Sequence, residues 1–288
     1  MATFQIDTSF LDNIKSLIEQ GNNALLIKKL KPIHYADIAE IIETLSIEEA
    51  TYIIKLLKSK TTADALTEVD PDTREQILDN LSINEIAREV SELKTDDATD
   101  LILELPEARK EKVMSQIQDD EHVKDIRDLL RYDENTAGGL MAKELVKVEE
   151  DLSVLKCLNK MRAQAENVTR VHSIYVVDQN NVLKGRLSLK DLITANSRDK
   201  VKDIYIPKVD FVTDDQENEE VAKIMSKYDL EAIPVVNNKK ELLGRITIDD
   251  IVDVIKEEAD KDYQLAAGIS KDVEADDTIF ELVKARLP

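Results

Sequence analysis

The sequence predicts an α+β multidomain protein: an N-terminal all-α superhelix of helical hairpins followed by two tandem β-α-β-β-α units. Three observations predict it. A helical pattern repeats within the first half, and a strand-rich pattern repeats within the second. Composition then leaves Leu, Ile, Val and Ala to build the cores, because 42% of the residues are hydrophobic while only 4% are aromatic and Trp is absent. Six Gly and six Pro in 288 residues are too few for a collagen-like, linker-like or disordered chain.

In the first half, IAEIIETLSIEEATYIIKLL (38–57) recurs 48 residues on as IAREVSELKTDDATDLILEL (86–105). The repeat aligns Ile38 with Ile86, Leu45 with Leu93, Ala50 with Ala98 and Ile54 with Ile102. Apolar residues at i, i+3 and i+4 make each copy a helix, a short polar break and a second helix. The break carries Glu48-Glu49 in one copy and Asp96-Asp97 in the other, acids that suit the positive end of a helix dipole. Pro71 and Pro106 are expected to open further helices at the first-turn position, where the missing N–H is not needed. Stacked hairpins of this kind make a small superhelix, placed here at residues 1–130. Such stacks serve as scaffolds or moving lids. Gly138-Gly139 and the polar run before them mark a boundary near 130–140.

In the second half, SIYVVDQNNVLKGRLSLKDLI (173–193) recurs 59 residues on as AIPVVNNKKELLGRITIDDIV (232–252). The repeat pairs Val176 with Val235, Gly185 with Gly244, Ser188 with Thr247 and Asp191 with Asp250. Each copy reads as a β-branched strand, a polar turn, a second strand through the glycine, and a helix. A helical pattern lies upstream of each, VLKCLNKMR (154–162) and VAKIMSKYD (221–229). The units are placed at 131–200 and 201–265. Neither buries its sheet well alone, so the two are expected to pack together.

Charge excludes several function classes. Lys and Arg number 39 against 60 Asp and Glu, a formal charge of −21. That balance repels nucleic acid and anionic lipid, which need clustered Lys and Arg. The excess carboxylate is left to solubility, a basic partner or cations. A single cysteine, Cys157, rules out an intramolecular disulfide and a thiolate metal cage, and its apolar setting makes it a packing residue. His34, His122 and His172 lack ligand spacing. The start, MATFQIDTSFLDNI, is not a secretory signal, and no stretch approaches the ~18 apolar residues of a membrane span. The chain is therefore expected to be soluble and to suit a reducing compartment. There is no Walker loop, dinucleotide glycine fingerprint, elbow serine or Cys/His pair, so no enzyme is expected.

The doubled motif, GRLSLKD (185–191) and GRITIDD (244–250), resembles that of tandem cystathionine-β-synthase (CBS) domains. An N-terminal helical repeat with a DDATD break, RYDENTAGGLM at the junction and the ending TIDDIVDVIKEEADKD narrow the match. Together they resemble the cytosolic region of MgtE-type magnesium channels over nearly the whole chain. DDTIFELVKARLP (276–288) is similar to the start of that family's connecting helix, placed at 266–288. The resemblance implies a homodimer paired through its CBS domains, joined to its own membrane domain at the cytoplasmic face of the cell membrane. It further implies Mg2+ ions lying between CBS domains, and between them and the N-domain, that hold a compact state and keep the pore shut.

Magnesium prefers oxygen ligands and keeps several waters, so one or two carboxylates often suffice for a site. The densest acid run is Asp249, Asp250, Asp253, Glu257, Glu258, Asp260 and Asp262, interrupted by Lys256 and Lys261. On a helix Asp250, Asp253 and Glu257 share one face, and Glu258 and Asp262 form an i, i+4 pair. Like charges so placed destabilise a helix by ~0.2–0.5 kcal/mol per pair, a penalty that a bound cation reverses. A second run, Asp214, Asp215, Glu217, Glu219 and Glu220, opens the preceding helix, and Asp229 closes it. Asp96, Asp97 and Asp100 form the third patch. The expected metal ligands are Asp96, Asp97, Glu219, Asp229, Asp250, Asp253, Glu257, Glu258 and Asp262.

Blander roles compete. Acids at a helix start favour the dipole, Ser188–Asp191 and Thr247–Asp250 fit capping boxes, and Glu257–Lys261 fits a helix ion pair. The alternative function is an adenine-nucleotide sensor. In many CBS pairs the Ser/Thr and Asp of this motif hold the ribose, which here assigns Ser188, Asp191, Thr247 and Asp250 and adds ATP as a second ligand. A bare scaffold is the remaining alternative.

Overall fold

The computed structural model describes residues 6–57, 60–166, 168 and 170–266. In the last helix, the side chains of Glu257, Glu258, Asp262 and some of their neighbours lie outside the described residues, as does all of 276–288. The chain forms two compact units, divided between Arg131 and Tyr132.

Ten helices lie among the described residues of the first unit. They are α1 (Thr8–Glu19), α2 (Asn23–Leu30), α3 (Tyr35–Glu43), α4 (Ile47–Leu57), α5 (Lys60–Glu68), α6 (Pro71–Asp79), α7 (Ile83–Glu92), α8 (Thr95–Leu103), α9 (Glu107–Met114) and α10 (Asp120–Leu129). The two sequence copies become α3–α4 and α7–α8. The break between α3 and α4 is a reciprocal cap: Ser46 N–H donates to Glu49 Oε2 (2.9 Å) and Glu49 N–H to Ser46 Oγ (3.3 Å). Ser82 and Glu85 repeat this at α7, and the Ser82 N–H holds the Glu85 carboxyl below its usual range. Each such cap is worth ~1 kcal/mol.

Packing follows the order of stacked hairpins: α3 on α5, α5 on α7, α7 on α9, and in a second row α2 on α4, α4 on α6, α8 on α10. The core is aliphatic, with Ile14, Ile41, Ile53, Leu66, Ile86 and Ile102 fully buried. Full burial of each such side chain contributes ~1.5–3 kcal/mol. Pro71 stands inside α6 as expected. Pro106 instead takes the N-cap position of α9, with extended backbone, one residue earlier than predicted. Each proline is followed three residues later by an arginine that ties helices together. Arg74 pairs with Glu104 and donates to the carbonyls of Leu66, Thr67 and Val69 at the end of α5. Arg109 pairs with Asp79 and donates to the Leu81 carbonyl.

The second unit opens with a short helix, α11 (Ala137–Leu140), then β1 (Val146–Glu149), α12 (Val154–Ala165), β2 (Ile174–Val177), β3 (Leu183–Leu187) and α13 (Leu189–Thr194). After a 3-10 turn come β4 (Val212–Thr213), α14 (Asn218–Lys227), β5 (Ala232–Val236), β6 (Leu242–Thr247) and α15 (Ile248–Ala266). Both halves are thus β-α-β-β-α. In each three-stranded sheet the first pair is parallel and the second antiparallel.

Two contacts tie the halves into one unit. The hairpin turns pair through a bridge of Val182 with Glu241, and Tyr175, Val177, Leu183, Val236 and Leu242 form a shared apolar cluster. Each glycine strand also borrows an edge partner: Ile206 bridges Arg186 on β3, and Ala142 bridges Arg245 on β6. A Cβ on Gly185 would lie 2.2 Å from the Ile206 carbonyl, and one on Gly244 would lie 2.7 Å from that of Ala142. The motif glycine is therefore required by the backbone that passes over it.

Candidate functional site

The paired motifs end as helix caps. At α13 the Asp191 N–H donates to Ser188 Oγ (3.0 Å), whose hydroxyl donates to Asp191 Oδ2 (2.6 Å). At α15 the Thr247 N–H and hydroxyl both donate to Asp250 Oδ2, at 2.9 and 2.8 Å. The four residues assigned to a ribose thus already hold one another, two by two, on their own helices.

The expected metal ligands lie on α8 in the first unit and on or beside α14 and α15 in the second. Asp96 is buried in the first turn of α8 and its Oδ1 accepts from the Asp97 N–H (2.9 Å), while Asp97 is half-buried beside it. That internal bond takes up an N–H at an end where the N-cap, Lys94, makes no side-chain cap. Glu219, in the first turn of α14, pairs with Lys223 (3.2 Å). Asp229 follows α14, exposed and in the left-handed region at φ 51. Asp253 is exposed on α15 and pairs with Lys256 (2.8 Å). Among the described residues no three His, Cys, Asp or Glu side chains come together as a metal-holding group. Glu257, Glu258 and Asp262 stand on α15, but their side chains lie outside the described residues.

A small gap, with room for about one water, opens in the second unit where the segment before β2 meets β6. Its polar lining is Arg170, His172, Ser173, Tyr175 and Arg245, with Leu145, Val146, Val168 and Val171 supplying the apolar part. Tyr175 is 2% exposed and its hydroxyl has no partner. Burial pushes that hydroxyl up to about 12, against the pull of Arg245 and Arg186, so it is neutral at physiological pH. Arg245 is also buried, and its Nε donates to the Glu144 carbonyl (2.6 Å). An orphaned buried hydroxyl costs ~1–3 kcal/mol. His172 Nδ1 lies 3.5 Å from Glu231 Oε2. Sequence reasoning missed this site. The one available signal was a tyrosine in SIYVV where the second copy, AIPVV, has proline.

The sequence family described as the MgtE intracellular N domain matches residues 33–135, and the CBS domain family matches 137–198 and 201–257. The magnesium transporter MgtE of Thermus thermophilus is 43% identical over 141 residues, 49% of this chain and 31% of that protein. The magnesium transporter MgtE of Bacillus subtilis is 34% identical over 160 residues, 56% of this chain and 36% of that protein. The alignments thus span about a third of the length of these curated relatives. A crystal structure of the cytosolic domain of the Mg2+ channel MgtE in complex with ATP superposes with a TM-score of 0.79 at 32% identity, covering 85% of this chain and 99% of that one. The soluble part of a magnesium transporter superposes at 0.76 and 28% identity, covering 86% and 98%. The fold, the two glycine-centred motifs and these matches agree: the chain belongs to the MgtE family and comprises its intracellular N domain followed by its CBS pair.

Proposed function

We propose that this chain is the cytosolic magnesium-sensing region of a magnesium channel or transporter. In this reading Mg2+ ions bridge acidic surfaces and stabilise a compact state that closes the pore of its own membrane domain at the cytoplasmic face of the membrane. The observation that carries it is the placement of the acids. Asp97 in the first unit, and Asp229 and Asp253 in the second, stand on helices or a helix end, each at least partly open to solvent. Scattered carboxylates supply one or two ligands each, which is how hydrated magnesium is held. An ion binding only the compact state, at ten times its dissociation constant, stabilises it by roughly 1.4 kcal/mol. About four such ions approach the ~5.5 kcal/mol that moves an equilibrium from 1:99 to 99:1. Calorimetric titration with MgCl2 tests this: wild type takes up several ions at millimolar concentration, and D97N/D229N/D253N loses most of that heat. Equal heats from the two proteins would refute it.

The partner is a second copy. Leu189 and Ile193 on α13 occupy the same repeat positions as Ile248 and Val252 on α15, and all four are exposed, at 44, 68, 38 and 42%. Ile255 and Tyr263 continue the α15 stripe. Equivalent apolar positions left open on both halves fit a self-complementary two-fold interface. I193E/V252E is expected to sediment as a monomer where wild type is a dimer.

A second reading has its own observation. A related cytosolic domain was crystallised with ATP, and Arg170, His172 and the unpartnered Tyr175 hydroxyl stand together at the gap before β2. In this reading ATP is the second ligand, and Ser188, Asp191, Thr247 and Asp250, which hold one another in two helix caps and do not line the gap, would have to open to grip its ribose. Tyr175→Phe, which removes only the hydroxyl, weakens ATP binding in this reading, and unchanged affinity would sink it.

A further inference from the structure

The two halves of the second unit meet through an apolar cluster, with Tyr175, Val177 and Leu183 from one and Val236 and Leu242 from the other. A buried polar pair stands at its edge. Tyr175 on β2 is 2% exposed with its hydroxyl unpartnered, and Arg245 on β6 is 6% exposed. A guanidinium this deep is stable only where its N–H groups are bonded. The Nε donates to the Glu144 carbonyl (2.6 Å), leaving the terminal N–H groups to the gap that the side chain lines.

Comparison of the two repeat copies shows that this burial is specific to one of them. Arg245 answers to Arg186, and Tyr175 answers to Pro234, 59 residues on. Arg186 lies directly across its own sheet from Tyr175, yet it is exposed. Arg245 lies across its sheet from Pro234, and it is buried where it shares a gap with the tyrosine of the other half. Tyr175 and Arg245 line that gap together, but the hydroxyl makes no direct hydrogen bond to the guanidinium. Polar groups that face each other beyond direct reach are commonly joined by a water. An internal water needs two to four polar partners. The gap has room for about one, and Ser173 lines it as a further partner.

We propose that this gap is a binding site for one internal water, which joins Tyr175 on β2 to Arg245 on β6 and so bonds the two halves of the CBS pair across their apolar contact. The water accepts from the guanidinium and satisfies the hydroxyl, so each buried group gains the partner it lacks. The bridge is polar and directional where the rest of the contact is neither, and it favours a single alignment of the halves. It requires neither the magnesium reading nor the nucleotide reading.

The test is the stability of the whole chain without nucleotide, read by pulsed labelling of the buried Cys157 across a urea series in wild type and Tyr175→Phe. Phenylalanine keeps the ring and removes only the hydroxyl. With the water in place the variant loses a hydrogen bond, and its folding equilibrium constant falls by about three- to tenfold. A dry, orphaned hydroxyl gives the opposite sign, because removing it relieves a desolvation penalty and the constant rises. An unchanged or raised constant overturns the proposal. A deficit that appears only with added sodium chloride also overturns it, since the occupant is then a halide. A second measurement needs no variant. A high-resolution crystal structure of the wild-type chain should show one solvent peak within hydrogen-bond distance of both Tyr175 Oη and the Arg245 guanidinium. No peak there, or a peak that bromide replaces with an anomalous signal, overturns the proposal.

Discussion

Replacing Gly185 with alanine tests whether the motif glycine serves the crossing backbone. A Cβ at this position meets the Ile206 carbonyl at 2.2 Å and the Tyr205 ring at 2.6 Å. Ordinary carbon contacts begin near 3.4 Å, so the 205–206 segment must retreat by about 1 Å. That segment is held by two hydrogen bonds, Arg186 N–H to Ile206 O (3.0 Å) and Ile206 N–H to Arg186 O (2.8 Å). Weakening both costs ~1–2 kcal/mol, and forced overpacking adds ~1–3 kcal/mol, for a total of about 3 kcal/mol. Cys157, the chain's only cysteine, reports on this unit alone. It is fully buried, and burial raises its thiol to about 11, so the native protein reacts slowly with thiol reagents. Pulsed thiol labelling across a urea series should show G185A exposing Cys157 at a clearly lower midpoint than wild type. Gly21→Ala is the control. Gly21 has φ +63 with nothing within 4 Å, so alanine there strains the first unit by ~1–2 kcal/mol and leaves Cys157 labelling unchanged. A G185A loss below ~1 kcal/mol would refute the steric argument.

Two further predictions concern the first unit. Arg74→Met removes the ion pair with Glu104 and three carbonyl contacts at the end of α5. The two side chains are 15 and 28% exposed, so the loss falls short of the ~3–5 kcal/mol of a fully buried pair and is expected near ~2 kcal/mol by circular dichroism in urea. Glu89 is 1% exposed, and burial raises its carboxyl pKa despite the Arg88 and Thr62 hydrogen bonds. The native state then holds this proton more tightly than the unfolded chain, so stability falls as pH rises from about 4.5 through the raised value. Glu89→Gln should lack that component of the pH dependence, and identical pH profiles would count against it.

Much of this architecture was legible because the controlling patterns are local. The 3.6-residue periodicity and the polar breaks at Glu48-Glu49 and Asp96-Asp97 place α3–α4 and α7–α8. The β-branched runs of SIYVV and AIPVV, with turn residues behind them, place both hairpins. What was not legible is non-local. That Ile206 serves as edge partner to β3, and Ala142 to β6, depends on chain crossings that no single window encodes. Gly138 and Gly139 read as punctuation, yet they sit in α11, where a Cβ would strike the Tyr132 ring at 2.3 Å and the Asp133 carbonyl at 2.4 Å. They permit close packing there. Asp96, Asp97, Glu219 and Asp250 lie in first helical turns and Asp229 just past a helix end, where capping and dipole effects account for several of them without a metal. Asp253, Glu257, Glu258 and Asp262 instead stand along the body of α15. The cavity escaped notice because its residues form no motif and come together only when the two halves fold as one unit.

The central claim is that magnesium compacts this region by occupying its carboxylates. Small-angle scattering across a magnesium titration, with sodium chloride matched for ionic strength, tests it most directly. The account predicts a cooperative fall in the radius of gyration at millimolar Mg2+, absent with sodium and blunted in Asp253→Asn. A radius that stays flat in magnesium, or that falls equally in sodium, would contradict it and leave the charge of −21 to solvation alone.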